Sequence, residues 1–282
     1  MALSDLLDRL PFRRARPTVS VLRLAGVIGG MTPLRSGLVG HELAGPIERA
    51  FAGRGLVAVA LVINSPGGSP VQSALIHQRI RQLSEERKLP VLAFVEDVAA
   101  SGGYWLALAA DEIFVDANSI VGSIGVITAG FGFDRAIERL GVQRRLYTAG
   151  ERKSLLDSFL PEREEDVARL RRLHAEIHDN FKALVRARRG AKLKGEESEL
   201  FSGEAWLGRR ALELGLVDGV GELRSTLRAR FGTRVRLRAV PTQRRTWRRR
   251  LGLAERGAWP AELVGDLMAG LEERQHWARF GL

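Results

Sequence analysis

The chain has 282 residues, 45% of them hydrophobic and 27% charged, a composition typical of a globular protein with one sizeable core or two smaller ones. It contains no cysteine, which excludes disulfides, thiolate catalysis and cysteine-ligated metals. The longest uninterrupted apolar run, residues 56–63, is far shorter than the ~20 residues that span a bilayer. The first ten residues carry acids where a secretory signal has an apolar stretch, so we expect a cytoplasmic protein.

The net charge of +11 is concentrated near the ends of the chain. Residues 231–282 hold 11 arginines against 5 acidic residues, whereas residues 21–230 carry only +3. A central domain with so small an excess is not typical of a nucleic-acid binder. The tail combines an arginine run at 234–250 with Trp247, Trp259 and Trp277. This combination suits peripheral contact with an anionic membrane face, and equally suits packing on another subunit.

Strands and helices alternate through residues 19–230, between an N-terminal segment (1–18) and a basic, partly helical tail (231–282). The run 56–63 is rich in β-branched residues, as expected of a strand buried on both faces. This alternation predicts an α/β domain with a mostly parallel sheet flanked by helices. We predict strands at 19–24, 56–63, 91–95, 113–115, 119–127 (partly loop) and 143–147, and helices at 41–52, 71–86, 105–110, 134–140, 161–189 (opened by Pro161) and 205–214.

The most informative motif is the turn around Ser101, between a predicted strand and a predicted helix. A serine followed by Gly102 and Gly103 at such a turn exposes its hydroxyl beneath backbone N–H groups. The start of a helix supplies oriented donors and a positive dipole end, and small neighbours let a substrate backbone approach closely. The motif favours nucleophilic catalysis, although by itself a glycine-rich turn with an incidental serine explains it equally well.

Four segments share the order and spacing found in one family of serine proteases. They are Asn64-Ser65-Pro66-Gly67-Gly68, Ala99-Ala100-Ser101-Gly102-Gly103-Tyr104, Val121-Gly122-Ser123-Ile124-Gly125-Val126, and Lys153 ahead of Phe159 and Pro161. Together they resemble the signal peptide peptidase A family (SppA and SohB) over roughly residues 19–230. The resemblance implies a Clp protease/crotonase-like fold. The lysine separates this family from the Clp type, which uses His and Asp.

The resemblance implies a role for five residues. Ser101 would be the nucleophile and Lys153 the general base of a Ser-Lys dyad, with Ser123 orienting the lysine amine. The N–H groups of Gly68 and Gly102 would form the oxyanion hole. The implied reaction is hydrolysis of short, unfolded, apolar peptides, such as cleaved signal peptides, through an acyl-enzyme. No cofactor or metal is expected.

The chemistry of a Ser-Lys pair sets a condition on the surroundings of Lys153. A serine hydroxyl needs a base to attack an amide, and a neutral lysine can serve. A free lysine has a pKa of about 10.4, and burial lowers the pKa because it disfavours the cation. A lowering by ~3 units costs ~4 kcal/mol, so the site should be enclosed and apolar. Lys153 stands in the charged run 151–153, where a lysine is ordinarily solvated.

The resemblance also carries an expectation about assembly. Short members of the family form rings in which the serine and lysine of one dyad come from neighbouring domains. This chain has one copy of the domain, so the resemblance implies a homo-oligomer whose monomer is inactive. The family usually carries an N-terminal membrane anchor, a pattern from which this sequence departs.

Other constellations support weaker hypotheses. His174 and His178 are four residues apart on the predicted long helix, a spacing that suits a shared metal, but no further ligand accompanies them. Asp97 and Asp111 flank the Ser101 segment, and no histidine stands in a motif that would complete a Ser-His-Asp triad. The rival functions are a crotonase-like acyl-CoA enzyme, a catalytically silent membrane-associated scaffold, and nucleic-acid binding through residues 234–250.

Overall fold

The computed structural model describes residues 16–30, 37–150, 152–242, 270 and 273–282, and its centre is a mostly parallel β-sheet. The strands are β1 Thr18–Ala25, β2 Leu56–Ser65, β3 Val91–Ala100, β4 Glu112–Val115, β5 Ile120–Gly122, β6 Ala205–Leu207, β7 Gly219–Val220 and β8 Arg236–Val240. The helices are α1 Gly40–Ala50, α2 Pro70–Arg87, α3 Gly102–Ala107, α4 Asp134–Arg139, α5 Glu164–Arg189, α6 Glu197–Leu200, α7 Gly208–Glu213 and α8 Leu223–Phe231.

The sheet has the strand order β6-β5-β3-β2-β1-β8, and β4 pairs with both β3 and β7. Every pairing is parallel except that of β5 with β6. Strand β2 is buried on both faces, as its apolar run predicts. Its side chains alternate between two core clusters: Leu61 and Ile63 join the larger one, and Ala58 and Ala60 the smaller.

Strand β3 changes partner halfway along its length. Its first part, Leu92 to Phe94, pairs with β4, and its last part, Val98 to Ala100, pairs with β5. The two exposed residues of the strand, Glu96 and Asp97, lie between these parts. Because β2 and β3 are parallel neighbours, the segments that follow them meet at one edge of the sheet, where ligands bind in open α/β folds.

Outside the Ser101 turn, three predicted elements are wrong or misplaced. Residues 143–147 form no strand and are exposed, because the alternating pattern has no neighbouring strand to pair with in the described chain. The long helix begins at Glu164 and not at Pro161; three acidic residues in its first turn favour that start. The predicted helix 205–214 divides into strand β6, which pairs with β5, and the shorter helix α7.

The basic tail is described only in part. Strand β8 pairs with β1, so the sheet continues past residue 230, where the sequence predicted the domain to end. Trp247 and Trp259, with all of residues 243–269, lie outside the described residues. Within the described ranges, no helix combines the length and apolar character needed to cross a bilayer.

Candidate active site

Ser101 occupies a strained turn between β3 and α3. Its φ of 52° and ψ of −120° lie outside the conformations common for a residue with a side chain. Such strain persists only where surrounding bonds hold it, and it is frequent at functional sites. Here the Ser101 N–H donates to the Gly122 carbonyl at 2.8 Å, and the Ser101 carbonyl accepts from the Trp105 N–H at 3.0 Å. The helix α3 starts directly after Ser101, three residues earlier than predicted.

The glycines around Ser101 are required by close backbone approach. A Cβ on Gly67 would lie 2.8 Å from the Ser101 Cβ, and Gly67 itself has a φ of +108°. A Cβ on Gly68 would overlap the backbone of Ile28. The loop after β2 therefore packs directly against the Ser101 turn.

Two backbone N–H groups beside Ser101 have no acceptor in the described chain. The Gly68 N–H makes no hydrogen bond there, although its neighbours do: the Ile28 N–H donates to the Gly67 carbonyl and the Ser69 N–H to the Ile28 carbonyl, each at 2.8 Å. Gly102 is the first residue of α3, so its N–H lacks an acceptor within the helix. A Cβ on Gly102 would lie 3.3 Å from the Gly68 nitrogen. Two adjacent free donors suit an oxyanion.

Ser123 lies on a second strained turn, at the end of β5. Gly122 and Ser123 have φ values of +105° and +50°. The Ser123 N–H donates to the Glu204 carbonyl at 2.7 Å, and the Gly125 N–H donates to the Ser123 carbonyl at 2.9 Å. This turn faces the same cavity as Ser101.

The cavity has a volume of about 1060 Å³ and brings together four of the five predicted site residues: Ser101, Ser123, Gly68 and Gly102. Its apolar lining includes Ile28, Trp105, Ile127, Ile177 and Phe181. Trp105 stacks on Phe181 with a ring separation of 4.8 Å. Polar side chains, Gln72 and His178 among them, line the rest of the cavity.

Lys153, the fifth predicted residue, does not line this cavity. It is exposed on a loop, and its backbone N–H donates to the Gly150 carbonyl at 3.2 Å. Its ammonium group makes no ion pair within the described chain. A single chain therefore presents the serine in a cavity and the lysine in solvent.

The acidic residues that flank the Ser101 segment have structural partners. Asp97 accepts a 2.7 Å hydrogen bond from the Asn64 side chain, whose oxygen accepts from the Val98 N–H. Asp111 binds Arg81 at 2.8 Å and the Val91 N–H at 2.9 Å. Neither carboxylate lines the cavity.

The two histidines of α5 form no metal site with other described residues, where no cluster of three or more metal-binding side chains occurs. His178 lines the cavity, and its Nε2 lies 2.9 Å from the Ile124 carbonyl oxygen. No local sequence pattern predicts this contact, because its two residues lie 54 positions apart in the chain. The four-residue spacing signals that both histidines share a helix face, but not what that face meets.

Comparison with known proteins matches more than half of the chain to one family. The sequence profile described as peptidase family S49 matches residues 84–231, just over half of the chain, a range that contains Ser101, Ser123 and Lys153. Protease 4 of Haemophilus influenzae is 32% identical over 221 residues, which cover 78% of this chain and 35% of that protein. The predicted resemblance to the SppA and SohB family is thereby confirmed.

A longer relative carries a different name. The protein named Na(+)/H(+) antiporter NhaA from Brucella abortus is 48% identical over 292 residues, which cover 100% of this chain and 40% of that protein. The chain thus spans less than half the length of both of these relatives.

A solved structure shows the same fold. The 1510-N membrane-bound stomatin-specific protease, as a lysine-to-alanine variant with a substrate peptide, superposes with a TM-score of 0.52 at 17% identity. The superposition covers 90% of this chain and 100% of that one, and it confirms the predicted α/β fold with a mostly parallel sheet. Because the profile match extends over more than half of its residues, the chain belongs to peptidase family S49.

Proposed function

We propose that the chain is a serine endopeptidase in which Ser101 is the nucleophile and Lys153 the general base. The observation that carries the proposal is Ser101 in a strained turn, inside a cavity with a partly apolar wall, beside the free N–H groups of Gly68 and Gly102. Serine attack on an amide needs these parts: an exposed hydroxyl, donors for the oxyanion and a wall for the substrate. Membership of peptidase family S49 supports the same reaction.

The reaction proceeds through an acyl-enzyme. The neutral Lys153 amine takes the proton of the Ser101 hydroxyl while Oγ bonds to the substrate carbonyl carbon, and the resulting oxyanion accepts from Gly68 and Gly102. As the C–N bond breaks, the Lys153 ammonium returns the proton to the leaving amine. Water then attacks the ester by the same route, with Lys153 again as the base.

The surroundings of Lys153 favour a site shared between two chains. A neutral lysine needs an enclosed, apolar environment, and in one chain Lys153 is exposed. We define the arm as residues 126–165, of which the structure describes all but 151; none of those described is buried. The arm exposes large apolar side chains: Ile127, Phe131, Phe133, Leu140, Val142, Leu146, Tyr147, Leu155, Phe159 and Leu160. Apolar surface of this extent marks an interaction site, so we propose that a second copy covers the arm and receives Lys153 near its own Ser101.

The substrate we propose is a short, unfolded, largely apolar peptide, such as a cleaved signal peptide. The apolar cavity wall formed by Ile28, Trp105 and Phe181 suits apolar side chains. A folded protein does not fit, because only an extended chain can enter a cavity of about 1060 Å³ and reach a half-buried hydroxyl.

The Brucella relatives are named for ion transport, and the chain matches only 40% of their length. The peptidase family match lies within the shared part. We therefore assign peptidase activity, and not transport, to this chain. A crotonase-like enzyme would bind coenzyme A, and calorimetry with coenzyme A separates that alternative from a peptidase.

The direct test measures cleavage of a fluorogenic apolar peptide. Ser101→Ala and Lys153→Ala should each lower kcat/KM by about 10³-fold or more, because the dyad acts as a unit. Matched controls are Ser198→Ala and Lys194→Ala, which remove an exposed serine and an exposed lysine elsewhere in the fold. Unchanged turnover in Ser101→Ala would refute the proposed nucleophile.

Mixing the two inactive variants tests whether the dyad is shared. If each site takes its serine from one chain and its lysine from the next, random co-assembly gives an intact pair at about a quarter of the sites. Ser101→Ala and Lys153→Ala, unfolded and refolded together, should then regain activity. If the lysine acted on the serine of its own chain, the mixture would stay inactive.

A further inference from the structure

Helix α5 contacts two parts of the cavity wall that come from separate segments of the chain. Phe181 is 3% exposed and stacks on Trp105, which belongs to α3, the helix that starts directly after Ser101. His178 lies three residues earlier on α5, hence on the same face, and its Nε2 is 2.9 Å from the Ile124 carbonyl oxygen. One helix face therefore touches both the nucleophile helix and the residue next to Ser123.

His174 repeats this contact one turn earlier. Its Nε2 lies 2.8 Å from the Thr128 hydroxyl oxygen, in the segment that continues from Ser123 along the cavity. The two histidines, four residues apart, thus bind two points of the same segment. A shared partner segment accounts for the spacing without a metal.

The turn that His178 holds is strained. Gly122 and Ser123 both have positive φ, and such a conformation needs external bonds to persist. Two of the bonds are backbone to backbone, from Ser123 to Glu204 and from Gly125 to Ser123. In the described chain, His178 supplies the side-chain bond to this turn.

We propose that His178 is a positioning residue, which holds the Ser123 turn at a set distance from Ser101 by donating its Nε2–H to the Ile124 carbonyl. His174 does the same, more weakly, at Thr128. The inference rests on the proposed function, in which Ser123 orients the lysine amine. His178 is not the general base, because a carbonyl oxygen only accepts, so Nε2 carries its proton and has no lone pair for the Ser101 hydroxyl.

The test compares two substitutions that differ in one donor. A glutamine amide places an N–H close to the position of a histidine Nε2, whereas leucine has a similar bulk and no donor. His178→Leu should lower kcat for the fluorogenic peptide about tenfold, the usual effect of losing one partly buried hydrogen bond, with KM within about twofold. His178→Gln should restore most of kcat. His174→Leu should have a smaller effect, and His41→Leu, at an exposed position outside the cavity lining, none.

A double-mutant cycle shows whether His178 acts through Ser123. In a Ser123→Ala background, His178→Leu should cost less than about twofold, because the group it positions is already absent. A merely structural role would give the same loss in both backgrounds. Circular dichroism reports folding; if the leucine variant does not fold, His178→Asn, whose amide is too short to reach the carbonyl, replaces it.

The outcomes separate this inference from the proposed function. If Ser101→Ala is inactive while His178→Leu keeps wild-type kcat, the positioning role is wrong and the nucleophile assignment stands. If His178→Gln is as inactive as Ser101→Ala, His178 takes part in proton transfer and the positioning role is again wrong. If Ser101→Ala retains activity, the proposed function itself fails.

Discussion

The two halves of the proposed dyad stand in opposite surroundings. Ser101 follows the buried strand β3, and its turn is held by β5, by the loop after β2 and by α3. Lys153 belongs to the arm, where none of the described residues is buried. The difference teaches that a single chain fully builds the surroundings of the proposed nucleophile and of the proposed oxyanion donors, and leaves the proposed base exposed to solvent.

The arm nevertheless has local order of its own. Phe133 stacks on Phe159 with a ring separation of 5.6 Å, and Arg144 binds Asp157 at 2.9 Å. The Phe159 N–H and the Arg144 guanidinium lower the pKa of the Asp157 carboxyl, which stays ionised and paired. The arm is thus arranged to present apolar side chains, as expected of an interface more than of an unfolded loop.

The largest difference in the free energy of unfolding should appear when an apolar side chain is truncated in the sheet and another in the arm. Ile63→Ala, in a strand where Ile63 is 0% exposed, should lower the free energy of unfolding by about 2–5 kcal/mol. Leu140→Ala, in the arm where Leu140 is 76% exposed, should change it by less than about 0.5 kcal/mol. Urea denaturation at low protein concentration measures both, and similar losses would contradict the division into core and arm.

The free energy of unfolding should depend on pH because of His77, a histidine that is largely buried. Burial lowers the pKa of His77 to about 4, with Arg188 adding to the shift. Between pH 6.5 and pH 4 the unfolded chain protonates His77, whereas the folded protein keeps it neutral. The free energy of unfolding is therefore at its full value above pH 6.5 and falls as the pH drops toward 4. The loss should reach about 3 kcal/mol at pH 4.

His77→Gln isolates this contribution. The variant should lose less unfolding free energy than the wild-type protein between pH 7 and pH 4, measured by denaturation at each pH. Parallel pH curves for the two proteins would show that His77 does not contribute.

Substitutions on the apolar face of the arm should change folding stability least. They should instead weaken the assembly of the chains. Phe133→Ser and Leu140→Ser should each weaken self-association about tenfold, the effect of ~1.4 kcal/mol of lost apolar burial. Leu212→Ser, on α7, should not; Leu212 is 37% exposed, against 43% for Phe133. Sedimentation velocity reports the oligomer and peptide cleavage the activity. Full assembly of both arm variants would show that another surface joins the chains.

Much of the fold was predictable because it is locally encoded. The β-branched run that becomes β2 and the serine followed by two glycines after β3 each identify their own structure within ten residues. Predictions failed where the structure of a segment depends on a neighbouring strand. Residues 143–147 alternate like a strand but have no partner in the described chain. Residues 205–207 have a helical pattern but form a strand because they pair with β5. Strand pairing is a long-range interaction, so local patterns do not report it.

The candidate site divides in the same way. By itself the sequence determined the motifs, their order and the family, and hence the identities of Ser101, Ser123 and Lys153 as site residues to test. Only the tertiary structure decided that Ser101 and Ser123 share a cavity, that Lys153 lies outside it, and that His178 bonds to the Ser123 turn. The physical reason is that composition and periodicity act over a few residues, whereas a cavity is formed by parallel strands and one long helix whose residues lie far apart in the chain.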